Sequence, residues 1–419
     1  MEWIGIVYAS ITAALFGWWI PKTFKQFDRG ALLFAWGMKV VGTFALVTLF
    51  TYHYTDRSTS DIHRFFDDGM RLNAVAFDAP LDFLQILLGW NIDQETFRTL
   101  NFEQFNAWIK PYDSGYNDNH VMIRLNAIMA FISGGYIEVH SIWFSMLAFV
   151  GLLWLIATFL PAHHRSFALV LVTLYPSQLI WLSGGLKESL LVFGLGMLLF
   201  GLTRLREARK ALWIGMVLVA CLLPTQVKVY FLLFLLPLLV WSISMDGMKV
   251  RKPASFGALI ALLIAGTMVL ELFGISPMEY TVRKQHEFIN HASEIQAGST
   301  FDVEKMAFSY TSLVAHLPQA FSSVLLRPWP WEDIDLPSLL LLAENILFWT
   351  LVAIAIRQYL INEIRFEWPR WLIPYGLSIV LLIGLITPVY GALMRYRAPI
   401  LLLLIIALSP YIRSLNKST

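Results

Sequence analysis

The chain has 419 residues, of which 57% are hydrophobic and 14% charged, with mean hydropathy +0.62. A soluble domain carries about 25% charged residues, so this composition excludes a soluble globular protein and points to a polytopic, all-α membrane protein. The net charge of +2 is spread over loops and offers no nucleic-acid surface, and one cysteine, Cys221, excludes a disulfide framework or a cysteine-based metal site.

Runs of apolar residues near the length needed to cross the hydrocarbon core, about 20, predict about eleven spans in one membrane domain covering 1–419. Span 1 covers about 3–20 and lacks the basic leader of a cleavable signal; Lys22, Lys25 and Arg29 follow it. Span 2 covers about 31–52, and Lys39 inside it is expected to snorkel to the nearer surface. A polar stretch runs from about 53 to 136. Spans 3, 4 and 5 cover about 137–160, 167–183 and 189–203, with Ser183-Gly-Gly-Leu-Lys-Glu188 between the last two. Spans 6 and 7, about 211–224 and 231–245, flank Pro224 and Lys228, and span 8 is 254–274. A second long polar loop, about 275–337, precedes spans 9 (338–356), 10 (371–393) and 11 (398–412). The last two are read as joined by a tight hairpin at Met394-Arg-Tyr-Arg397.

Alternate short loops and the C-terminal tail carry 16 Lys/Arg, and the opposite short loops carry 4. The positive-inside rule then places the N-terminus and both long loops outside and the C-terminus in the cytoplasm. The one glycosylation sequon, at Asn416, falls on the cytoplasmic side, as in a bacterial inner-membrane protein.

Asp61-Ile-His-Arg-Phe-Phe-Asp-Asp-Gly69 opens the first long loop. Wound as a helix over 61–71, it puts Ile62, Phe65, Phe66 and Gly69 on one face and Asp61, Arg64, Asp67, Asp68 and Arg71 on the other. Such a helix can lie on a bilayer and hold carboxylates above the headgroups; the plain alternative is a solvated helix with Asp–Arg pairs. Leu81–Trp90 is apolar enough for the interface, and Phe97, Leu100, Phe105, Trp108 and Ile109 form an aromatic stripe. Asn117-Asp118-Asn119 can cap a short helix from Val121 that carries Arg124 and Asn126.

Several cations stand at outer span ends, against the charge bias: Arg124, Lys187, Lys228, Arg395 and Arg397, with Arg327 from the second loop. They could bind the phosphate of a lipid carrier, or meet headgroups and loop carboxylates. Glu344, two turns into span 9, is the best buried functional candidate within the spans. No known metal or nucleophile motif is present, although a divalent metal on Asp61, Asp67 or Asp68 stays open.

This layout resembles the GT-C class of membrane glycosyltransferases. Asp61-Ile-His-Arg-Phe65 aligns with the Asp-Glu-x-x-Tyr-like motif of members using polyprenyl-phosphate sugars, with Ile62 and Phe65 departing from it. Arg395-Tyr-Arg-Ala-Pro399 looks like a basic segment of the class, and Pro176 through Ser183-Gly-Gly-Leu-Lys-Glu188 and Arg327-Pro-Trp-Pro-Trp-Glu332 look like bacterial polysaccharide-biosynthesis membrane proteins. The resemblance implies a lipid-linked sugar donor and a glycan, lipid or protein acceptor. It implies a catalytic base at Asp61, with Asp67 or Asp68 as substitutes, and a phosphate clamp among the cations. A polysaccharide polymerase or ligase and a non-enzymatic translocator are the alternatives; the translocator would use Lys39 and Glu344.

Overall fold

The structure, a computed structural model, describes residues 3–53, 57–90, 104–108, 117–208, 210–248, 266–294, 299–329, 331–332, 335–361, 369 and 371–413. Where the hydropathy pattern suggests one domain, the chain divides into two compact units, Met1–Val229 and Tyr230–Thr419. The described residues are helical, with one isolated β-bridge, Thr300 to Val389. Among the described residues, six helices are long and apolar enough to cross a membrane.

The first unit holds α1 (Trp3–Thr23), α2 (Arg29–His53), α3 (Asp61–Asp78), α4 (Pro80–Leu88), α5 (His120–Ser133), α6 (Ile137–Phe159), α7 (Ala162–Leu174), α8 (Pro176–Trp181), α9 (Lys187–Glu207) and α10 (Ala211–Val227). Predicted spans 1, 2, 3 and 5 correspond to α1, α2, α6 and α9. Predicted span 4 is not one helix. Pro176 has no amide hydrogen to continue α7, so the chain restarts as α8 and then unwinds over Leu182–Leu186. In lipid, helix association comes from close packing rather than from escape from water. Here α6 and α9 meet through Gly151 and Gly196: a Cβ on Gly151 would lie 2.5 Å from the Val192 carbonyl oxygen, and one on Gly196 2.3 Å from that of Gly151.

The second unit begins in α11 (Val229–Met248) and holds α12 (Pro277–Glu294), α13 (Tyr310–Ala315), α14 (Leu317–Leu325), α15 (Leu336–Ile361), α16 (Leu372–Ile386) and α17 (Tyr390–Arg413). Of predicted span 8, residues 266–274 are described, helical over 266–272, and 254–265 lie outside the described residues. The hairpin between the last two helices is at Thr387–Val389, not at Met394–Arg397. Residues 394–397 lie inside α17, because a buried partner for Arg397 removes the reason to end the helix there.

Candidate functional site

In the first unit, the end that gathers the long loop is built on α3. Its apolar residues Ile62, Phe65, Phe66, Gly69 and Leu72 are buried, and α3 packs chiefly on α5. Ile62 joins Leu46, Val47 and Phe50 of α2 and Leu186 before α9 in one apolar cluster. The expectation of a helix lying on the bilayer is therefore corrected: the apolar face of α3 is covered by protein.

Its polar face is covered in part. Asp68 is fully buried, and its two oxygens accept the backbone N–H groups of Asn106 (2.9 Å) and Ala107 (2.7 Å). Arg64 donates to the Asn106 carbonyl (2.8 Å) and Arg71 to that of Gln104. Positions 64, 68 and 71 lie on one helical stripe, so α3 grips Gln104–Trp108 along its length. Asn119 ties the same segment by donating to the Ala107 carbonyl (2.9 Å), and Trp108 stacks on His120 at 3.9 Å. Asn119 is thus a tether rather than a side-chain cap. Phe97, Leu100 and Ile109 of the expected stripe lie outside the described residues.

The three carboxylates proposed from sequence separate by environment. Asp67 is ion-paired with Arg57 at 2.7 Å. Asp68 is raised above the usual carboxylate range by burial, with its backbone partners and Arg71 pulling the other way. Asp68, expected as a catalytic candidate, thus fastens α3 to residues 106–107. Asp61 opens α3 half-buried. Beside it Ser60, fully buried, bonds the His63 Nδ1 at 2.8 Å. The His63 ring is pushed down to about 4 by burial and then by Arg57, and its Nε2 has no hydrogen-bond partner among the described residues.

Lys187, at the start of α9, pairs with Asp118 at 2.7 Å and lies 5.4 Å from the Phe65 ring centre. Asp61 opens α3 one turn before Phe65, so the Lys187–Asp118 pair stands against the first turns of the helix that Asp61 begins. The Asp118 side chain is 38% exposed, so the pair is open on the carboxylate side. The sequence offered Asp118 only as part of a cap; nothing local marks it as the partner of a lysine 69 positions on. Lys228 is buried against Glu188 at 2.8 Å. Arg124 donates to the Ile86 carbonyl (2.9 Å), with Trp108 5.5 Å away.

In the second unit, Arg397 is fully buried; it donates to Glu344, Asn345 and the Val324 carbonyl. Arg327 pairs with Glu332 at 3.2 Å over the Phe301 ring, and Tyr390 donates to Glu332 at 2.6 Å. Arg395 is half-exposed, 5.9 Å from the Tyr396 ring centre. Arg397 and Lys228 are thus withdrawn as free phosphate ligands, since each is committed to a buried carboxylate. Lys39 does not snorkel. It is 2% exposed, and its ammonium donates to the Gln178 and Leu182 carbonyls (2.9 and 2.7 Å) and to Ser183 Oγ (2.9 Å). Among the described residues, no three His, Cys, Asp or Glu side chains converge as a metal would require. The chain matches no family model, no curated protein and no solved structure.

Proposed function

We propose that the protein is an integral membrane glycosyltransferase that takes a sugar from a polyprenyl-phosphate donor and transfers it to an acceptor on the extracytoplasmic face, in cell-surface glycan synthesis. The membrane would be the inner membrane of a bacterium, with the N-terminus outside and the C-terminus in the cytoplasm. One observation carries this reading: the Lys187–Asp118 pair, open on its carboxylate side, lies with its ammonium 5.4 Å from the Phe65 ring of α3, the helix that the half-buried carboxylate of Asp61 opens one turn earlier. A carboxylate and an ammonium at that level suit a lipid-borne phosphate leaving group and a polar acceptor.

In this reading Asp61 takes the proton of the acceptor hydroxyl as its oxygen bonds the anomeric carbon. The bond from that carbon to the phosphate oxygen breaks, and Lys187 stabilises the negative charge that develops there. Asp118 holds the ammonium until the donor arrives. The translocator alternative loses support, because Lys39 and Glu344 are both engaged in internal hydrogen bonds.

The test is surface glycan in cells carrying Asp61→Asn, with protein level as control. Removing a general base should slow transfer by about 10²–10⁴-fold at normal expression. Wild-type glycan at wild-type protein level would remove Asp61 as the base, and Asp118→Asn in the same assay would then decide between Asp118 and no base at this place.

A further inference from the structure

The other end of the first unit carries a feature that the transferase reading does not use. Asp28 N donates to Ser166 Oγ at 2.9 Å, and Arg165 lies near enough to Arg204 to feel its charge. The ends of α1, α6 and α9 that bear Thr23, Phe159 and Glu207 therefore gather together. Between α1 on one side and α6 and α9 on the other lies a groove of about 820 Å³. That volume falls within the usual range for a bound small molecule, about 300–1,000 Å³. Its wall is aromatic: Phe16, Trp18, Trp143, Trp154, Phe193 and Phe200. Arg204 also lines it.

Both parts of this groove specify an occupant. The wall is made by helices long and apolar enough to cross a membrane, and Trp18 on it is 66% exposed. In a membrane that surface meets hydrocarbon chains. The end is cationic. Lys22 Nζ stands 3.2 Å over the Trp18 ring, Arg204 lines the groove, and Arg165 adds its charge nearby. Glu207 pairs with Arg204 at 2.7 Å and cancels one of these charges, and Asp28 accepts the Ala31 amide at 2.8 Å. A net positive end above an apolar trough matches one anionic headgroup above its chain.

We propose that this groove is a binding site for an anionic glycerophospholipid, with an acyl chain along the Phe16–Trp143–Trp154–Phe200 wall and the phosphate between Arg204 and Lys22. The site is at the opposite end of the unit from Asp61 and Lys187, so the lipid is a resident one and not the sugar donor.

The tryptophans supply the readout. The full-length protein in mixed micelles is titrated with phosphatidylglycerol or phosphatidylcholine, each brominated on the acyl chain, and tryptophan quenching is followed. Each basic side chain near a lipid headgroup contributes about fivefold in affinity, so phosphatidylglycerol should half-quench at a concentration lower by about that factor or more. Lys22→Gln with Arg204→Gln should erase the difference, and Trp154→Phe should reduce the amplitude. In the wild type, unbrominated phosphatidylglycerol should restore the fluorescence where phosphatidylcholine does not, a result independent of how the variants fold. Equal quenching by the two lipids would overturn the proposal, as would a preference that survives the double substitution in folded protein. Displacement of brominated phosphatidylglycerol by a long-chain polyprenyl phosphate at lower concentration would overturn the assignment to a glycerophospholipid.

Discussion

Along α3, residues two turns apart have opposite fates. Asp61 stays half-buried at the start of the helix, whereas Asp68 is enclosed and gives both oxygens to the amides of Asn106 and Ala107. Helical periodicity places both on the polar face, but it cannot say that residues 104–108 will cover part of that face. Such a contact has no local signature, so the sequence overstates the number of catalytic carboxylates. His63 is the other residue whose environment came from the fold. Its ring titrates at about 4 in the folded protein, against 6.5 for an unburied imidazole. Between those values the unfolded chain binds the extra proton, so stability rises with pH. The contribution is complete above pH 6.5 and is lost as pH falls through 4. Asp68, with its raised proton affinity, pulls the other way. The His63 part is isolated by difference: the melting temperature of the wild type should fall more steeply from pH 6.5 to 4 than that of His63→Phe. Parallel pH profiles for the two proteins would show that the His63 ring does not titrate as its burial requires.

At the scale of elements, the long apolar helices were legible and the broken ones were not. Hydropathy places α1, α2, α6 and α9 within a few residues, because each is a near-continuous apolar run. The same averaging fuses α7 and α8 into one span and hides the unwound Leu182–Leu186. It also reads a hairpin into Met394–Arg397, since an arginine in an apolar run looks like a loop until Glu344 is known to face it. The unwound stretch needs hydrogen-bond partners, because lipid provides none. Lys39 supplies them, its three bonds closing the C-terminal end of α8. Methionine matches the length of the lysine stem and removes the donors. Lys39→Met should therefore cost roughly 3 kcal/mol or more, given about 1.5–3 for a hydrogen bond to a charged group. The measurement is thermal unfolding of purified protein in detergent. A melting temperature unchanged from the wild type would mean that the carbonyls of Gln178 and Leu182 find other donors.

At the scale of the whole chain, the charge count predicts sidedness, and packing shows which loop residues of the first unit lie near one another. The charge count puts Lys22, Lys25, Arg29, Arg165, Arg204 and Arg206 on one side from sequence alone. The structure gathers Arg165 beside Arg204 and Asp28 beside Ser166 at one end. At the other end Ile62 packs on Leu186, Asp118 pairs with Lys187, Glu188 pairs with Lys228, and Gly5 lies against Glu138. In the second unit the basic residues between spans 9 and 10 lie largely outside the described residues, so sidedness there rests on the charge count alone. The prediction is a labelling pattern in a Cys221→Ser background. Single cysteines replacing Ser58 and His291 should react in intact cells with a membrane-impermeant thiol reagent. Cysteines replacing Lys25 and Glu207 should react only after the membrane is opened. Labelling of the second pair in intact cells would invert the orientation and put Asp61 and Lys187 in the cytoplasm. Labelling at 58 without labelling at 291 would leave the first unit as oriented and give the second unit the opposite sense.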